Sequence, residues 1–212
     1  IEATVGDHNP AGTYDGSVSF DVVGLVFAGA AYLAGSFPTA SIVGMLSGHD
    51  HSKEGSGNPG ASNVYRTSGA AYGLATVVID VLKGFLPVLV TLLVVDRPWA
   101  AVAWVCVTVG HVFPLARFRQ GGKGVATGGG GSLPLFPVFG LTLLAVFAAA
   151  VRVTRTASIG SLVIAVLTPV GVAFLHEHVA ELYAAIAVSL VVIARHRSNI
   201  ARLARGRELP LA

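Results

Sequence analysis

AAYGLATVVIDVLKGFLPVLVTLLVV, residues 70–95, is the run that decides the fold. Its only charges are Asp80 and Lys83, and it exceeds the ~20 apolar residues that span a bilayer. Asp80 and Lys83 stand three apart and so share one helix face. An ionisable side chain at membrane depth costs a few kcal/mol, so it is normally paired or functional. Pairing with each other is the simpler reading; a part in shaping a site is the other.

Working outward, further apolar runs cover residues 22–46, 99–115, 159–175 and 182–194. Gly35-Ser36-Phe37-Pro38-Thr39 interrupts the first, where proline frees a carbonyl and invites a kink. Hydrophobic residues make up 53% of the chain and charged ones 12%, with mean hydropathy +0.72. A soluble domain carries about 25% charged residues, so the chain reads as an all-α, polytopic helical membrane protein. No nucleic-acid partner is expected. The single cysteine, Cys106, excludes an intramolecular disulfide and a cysteine-based metal site. Ile1–Ser19 is polar, carries Glu2, Asp7 and Asp15 and lacks Lys and Arg, the wrong flank for a signal peptide.

Residues 127–152 are the ambiguous segment, since Gly128–Gly131, Pro134 and Pro137 interrupt them. Their length allows one crossing or two half-helices, not two full crossings. Charge arbitrates. If the segment is re-entrant and the N-terminus lies outside, Lys53, Arg66, Arg117, Arg119, Lys123, Arg152, Arg155 and the tail arginines all face the cytoplasm. Arg97 is then outside with Glu177 and Glu181. Cationic loops stay inside, so the expectation is five full crossings plus a re-entrant helix pair, seven helices in total. Residues 1–19 form an external polar tail, 20–196 the membrane domain and 197–212 a basic cytoplasmic tail.

Two polar stretches stand out against this background. Gly55-Ser56-Gly57-Asn58-Pro59-Gly60-Ala61-Ser62-Asn63-Val64-Tyr65-Arg66 cannot begin as a regular helix or strand. Its free N–H groups suit an anion nest, and Arg66 adds a fork that matches phosphate. Gly121-Gly122-Lys123-Gly124-Val125-Ala126-Thr127 repeats the recipe of glycines, a cation and a hydroxyl. It is not a nucleotide-binding P-loop, because Gly124 follows Lys123 where a hydroxyl is required and Arg117 occupies the upstream glycine position. The histidine-x4-aspartate acyltransferase signature is absent; His49 and His176 are followed by Glu54 and Glu181 instead. His49, His51, His176 and His178 lie in short polar loops that read as solvated, and no metal-binding spacing occurs. A phosphate-handling enzyme and an organophosphate carrier with broken helices both fit these features.

Together the motifs resemble the bacterial membrane acyl-phosphate:glycerol-3-phosphate acyltransferases, the PlsY family. The matching pieces are Gly35–Thr39, Gly55–Arg66, Tyr72-Gly73 with Asp80–Gly84, Gly110–Pro114, Gly121–Thr127 and Arg195–Ile200, in the family's order. The resemblance implies transfer of a fatty acyl group from acyl phosphate to glycerol 3-phosphate, giving lysophosphatidic acid in phospholipid synthesis. It implies no cofactor and no metal, membrane lipid around the helices, and active-site loops on the cytoplasmic side of the cell membrane. It assigns Ser56, Gly57, Asn58, Asn63, Arg66, Gly122, Lys123, Gly124 and Thr127 to phosphate binding, and His196, Asn199 and Ser158 to the reacting groups. Two departures are visible. The arginine expected in an Asp-x-Arg context before the first loop is missing, Asp50 being followed by His51-Ser52-Lys53, and Ser62 stands where the family has threonine.

Overall fold

The structure, a computed structural model, describes residues 17–115 and 121–211. The acidic positions Glu2, Asp7 and Asp15, and the loop cations Arg117 and Arg119, lie outside the described residues. Among the described residues ten helices follow in order: α1 (Ser17–Gly35), α2 (Thr39–Ser47), α3 (Ala61–Ser68), α4 (Ala70–Val94), α5 (Arg97–Val112), α6 (Val125–Ser132), α7 (Pro137–Thr154), α8 (Ala157–Leu175), α9 (Val179–Arg195) and α10 (Arg197–Ala204). No strand occurs among the described residues. The expected seven become ten because Pro38 splits the first apolar run into α1 and α2, and the short α3 and α10 lie outside the long runs. Among the described residues four stretches are individually long and apolar enough to cross a membrane: Asp21–Ser47, Ala70–Val94, Pro137–Thr154 and Ala157–Leu175. α9 and α10, bent by 56° at His196, make a fifth candidate. Leu25, Leu93, Phe174 and Leu190 stand exposed around the outside, as lipid-facing side chains do.

α5 is the hub. At 16 residues it is only ~24 Å long, yet it packs on α1, α4, α6 and α9. Asp96 caps its start, accepting a hydrogen bond from the Trp99 amide at 2.8 Å. Glycines set the helix spacing at two crossings. A Cβ on Gly35 would lie 2.1 Å from the Val107 carbonyl oxygen, and one on Gly110 2.1 Å from that of Tyr32, so α1 and α5 touch backbone to backbone. Gly84 and Gly130 do the same for α4 and α6, against the Thr127 and Val81 carbonyls. Close backbone approach through small residues is how membrane helices associate without a hydrophobic driving force.

The interrupted segment folds unequally rather than as two half-helices. α6 has 8 residues and α7 has 18. Four consecutive glycines weaken α6, and Pro134, just past the C-cap Leu133, has no N–H with which to continue it. Pro137 stands in the first turn of α7, where its missing N–H costs nothing. Both ends of the segment nevertheless reach the same end of the bundle. Lys123 donates to Asn199, the Arg155 carbonyl accepts from the Leu211 amide at 2.7 Å, and Arg66 holds Pro210. At the opposite end Arg97 lies 2.7 Å from Glu181 and 3.5 Å from Glu177.

The histidine pairs are not simply solvated. His178 and Glu181 form a reciprocal cap on α9, with Glu181 fully buried. His51 is also buried, its Nε2 3.3 Å from the Ser68 hydroxyl. Asp80 and Lys83 pair at 2.8 Å, and Lys83 also donates to Thr39 Oγ1 and the Phe37 carbonyl. Pairing is therefore the right reading of those two charges. It is joined by a part in the site, because Asp80 reaches the central cavity.

Candidate functional site

A cavity of about 240 Å³ opens at the cation-rich end of the bundle. Helix starts surround it. Ala61 and Ser62 of α3, Val125 and Ala126 of α6, and Ala157 and Ser158 of α8 all line it. The first N–H groups of a helix have no partner within it, and the helix dipole favours an anion there. Three helix starts on one cavity give it an electrostatic preference for negative charge.

The loop before α3 is held by one side chain. Asn63 Oδ1 accepts from the Ser56 amide at 2.8 Å, while its Nδ2 donates to the carbonyls of His51 at 3.0 Å and Glu54 at 2.9 Å. Gly55 and Gly57 have φ of 60° and 67°, the left-handed region that glycine enters without strain. A Cβ at Gly55 would also fall 2.3 Å from Asn63 Oδ1. Ser56, Asn58 and Arg66 then line the cavity.

Fixed positive charge comes from Arg66, Lys123 and Arg202, all lining the same cavity. Burial pushes the Lys123 ammonium down to about 8 from 10.5, and Arg202 nearby adds to the effect. Burial also lowers the Arg66 guanidinium. Lys123 Nζ donates to Asn199 Oδ1, and Asn199 Nδ2 donates to Glu208 Oε1 at 2.7 Å. Arg202 grips the same carboxylate, Nε to Oε2 at 3.0 Å and Nη2 to Oε1 at 3.3 Å. Arg66 fastens the tail beside it, with Nε donating to the Pro210 carbonyl at 2.6 Å.

His196 is 2% exposed, and its Nδ1 lies 2.8 Å from the Val192 carbonyl. A carbonyl oxygen only accepts, so Nδ1 carries the proton and Nε2 keeps a free lone pair. Ser158, also buried, has a hydroxyl without a partner among the described residues. Both residues line the cavity.

Of the residues singled out from sequence, Ser56, Asn58, Asn63, Arg66, Lys123, Gly124, Ser158, His196 and Asn199 meet at this cavity. Gly57, Gly122 and Thr127 do not line it. Gly57 makes a turn, Gly122 packs on the His111 ring, and Thr127 is fully buried with its carbonyl against Gly84. Lys53 does not stand in for the missing arginine, because it pairs with Asp50 at 3.2 Å and is 82% exposed. Sequence reasoning missed Arg202, Glu208 and His111. The available signal for Glu208 was a lone acid within an arginine-rich tail. Residues 197–211, expected as a basic tail, instead form α10 and a strap that completes the site.

The chain matches the family model described as glycerol-3-phosphate acyltransferase over residues 25–206. It is 40% identical over 185 residues to the glycerol-3-phosphate acyltransferase of Geobacter sulfurreducens, covering 87% of this chain and 95% of that protein. The corresponding protein of Trichlorobacter lovleyi is 42% identical over 189 residues, with 87% and 96% covered. The crystal structure of PlsY, an integral membrane glycerol 3-phosphate acyltransferase, in its glycerol 3-phosphate form superposes with a TM-score of 0.85 at 32% identity. That match covers 89% of this chain and 95% of the other. The lysophosphatidic acid form gives 0.83.

Proposed function

We infer the reaction from one premise: the chain belongs to the glycerol-3-phosphate acyltransferase family. It is a multi-pass integral membrane protein, and the reaction is acylation of glycerol 3-phosphate to lysophosphatidic acid. Membership favours the enzyme over an organophosphate carrier. The donor we propose is acyl phosphate. The observation that carries this is a compact polar chamber, ringed by helix starts, Arg66 and Lys123, that continues into apolar wall at Val81, Leu143 and Phe147. The polar part suits phosphate groups, and the apolar part suits an acyl tail.

The glycerol hydroxyl oxygen attacks the acyl carbonyl carbon. The bond from that carbon to the phosphate oxygen breaks, and phosphate leaves with the electron pair. The hydroxyl proton passes to His196 Nε2 or to an oxygen of the departing phosphate. A mixed anhydride is already activated, so no covalent enzyme intermediate is needed. The protein's tasks are orientation, neutralisation of two phosphates and exclusion of water. Arg66, Lys123, Ser56 and the helix starts hold the phosphates; Ser158 and Asn199 orient the reacting groups.

We place the cavity mouth on the cytoplasmic side, because the cations gather at that end and cationic loops stay inside. The donor is tested by supplying palmitoyl phosphate or palmitoyl-CoA with radiolabelled glycerol 3-phosphate to the purified protein. Lysophosphatidic acid should form from the first, with stoichiometric phosphate release that depends on glycerol 3-phosphate. Comparable rates from the thioester would overturn the donor assignment.

A further inference from the structure

Two buried titratable side chains line the cavity and take no part in the reaction described above. They are Asp80 of α4 and His111 in the last turn of α5, 3% and 8% exposed. Asp80 Oδ1 and His111 Nδ1 lie 3.7 Å apart, too far for a hydrogen bond to each other. Neither atom has a hydrogen-bond partner among the described residues. Lys83 pairs with the carboxylate at 2.8 Å, outside hydrogen-bond geometry, and donates instead to Thr39 Oγ1 and the Phe37 carbonyl. Buried polar groups are nearly always hydrogen-bonded, so this pair faces an occupant that the protein alone does not supply.

The chemistry of the two atoms selects that occupant. A carboxylate oxygen only accepts hydrogen bonds. The carboxylate facing Nδ1 favours the tautomer with the proton there, so His111 donates. A hydroxyl can donate to the first and accept from the second, with its oxygen about 2.8 Å from both. The pair also adjoins the loop that carries Lys123. A Cβ on Gly122 would lie 2.2 Å from His111 Nε2, and one on Gly124 3.2 Å from Val112 and 3.6 Å from Val192. Val192 in turn supplies the carbonyl that orients His196. One loop therefore packs against His111, carries Lys123 and touches the end of α9 that holds His196.

We propose that Asp80 and His111 bind the central hydroxyl of glycerol 3-phosphate and make the enzyme selective for an acceptor that has it. This rests on the reading of the cavity as the acceptor site. The phosphate goes to Lys123 and the helix starts, and the terminal hydroxyl reacts. The hydroxyl between them is the one left for this pair. An acceptor without it leaves two buried polar atoms unpartnered, which is how a site rejects an analogue that lacks a hydroxyl.

The test is isothermal titration calorimetry on the purified protein with glycerol 3-phosphate and with 3-hydroxypropyl phosphate, which lacks only the central hydroxyl. No acyl donor is present, so the result is independent of the donor assignment. The unsubstituted protein should bind glycerol 3-phosphate roughly ten- to a hundredfold more tightly, the order of a hydrogen bond to a charged group. His111→Phe should bring the two affinities together by weakening glycerol 3-phosphate alone. His111→Gln, whose amide hangs one bond farther out, should do the same, and it keeps the test decisive if the phenylalanine variant does not fold. His111→Asn returns an amide donor to the position bonded to Cγ, where Nδ1 stood, and should retain most of the preference. Equal affinities in the unsubstituted protein, or variants that weaken both ligands alike, would overturn the proposal. Failure of the unsubstituted protein to bind either phosphate would overturn the reading of the cavity, and this proposal with it.

Discussion

Lys123→Met removes an ammonium from the cavity and leaves most of the aliphatic stem in place. In the native site the ammonium donates to Asn199 and lies near Arg66, Arg202 and Glu208. A charge-assisted contact to phosphate contributes about 1.5–3 kcal/mol, so kcat/KM should fall roughly ten- to a hundredfold or slightly more. The pH dependence is the sharper readout. Lys123 loses its proton near pH 8, below its ordinary 10.5, because burial disfavours the ammonium. Glycerol 3-phosphate is already a dianion there, its second pKa being near 6 as for other phosphate monoesters. The kcat/KM for glycerol 3-phosphate should therefore drop as pH rises through about 8, since that ratio reports the free enzyme. Stability should move the other way. Between about 8 and 10.5 the unfolded chain holds a proton that the folded chain has lost, so unfolding free energy from this group rises with pH. Initial-rate assays in detergent across neutral to alkaline pH, paired with thermal unfolding, measure both. An alkaline fall in kcat/KM that survives unchanged in Lys123→Met, or near-native kinetics for that variant, would refute the assignment.

Glu208→Ala strips the shared acceptor from Asn199 and Arg202. It should cost about 3 kcal/mol, the low end for breaking a buried ion pair because Arg202 is 31% exposed; unchanged thermal unfolding would remove Glu208 from the site's framework. Gly130→Ala forces a methyl to within 2.2 Å of the Val81 carbonyl and should destabilise by about 1–3 kcal/mol, whereas Gly129→Ala should be neutral or stabilising. Equal effects of the two would contradict the packing of α6 on α4. For orientation, cysteines at Lys53 and Glu177, whose side chains are 82% and 65% exposed, should respond oppositely to an impermeant thiol reagent on intact cells. Only position 177 should label, and labelling of position 53 from outside would invert the proposed topology.

The membrane class was legible because a bilayer demands long apolar runs, and residues 70–95 have no other reading. That the two glycine loops belong together was legible, because each carries glycines, a cation and a hydroxyl, and both line one cavity. Which member of each loop faces the cavity was not, because packing between distant segments decides it. Asn63 and Arg66 stand three apart on α3, yet one is turned back to its own loop and the other reaches Pro210, 144 residues away. Thr127 has the composition of a phosphate ligand, but the Gly84 crossing draws its carbonyl onto α4 and buries it. Glu208 went unseen for a related reason. A carboxylate among arginines reads as a solvated tail until the bend at His196 carries α10 back across the mouth of the bundle. The cavity is thus a meeting of helix starts from three separate parts of the chain. It becomes a chamber because Gly84, Gly130 and the α9–α10 bend bring α4, α6 and the tail together at the end where α3 and α8 begin.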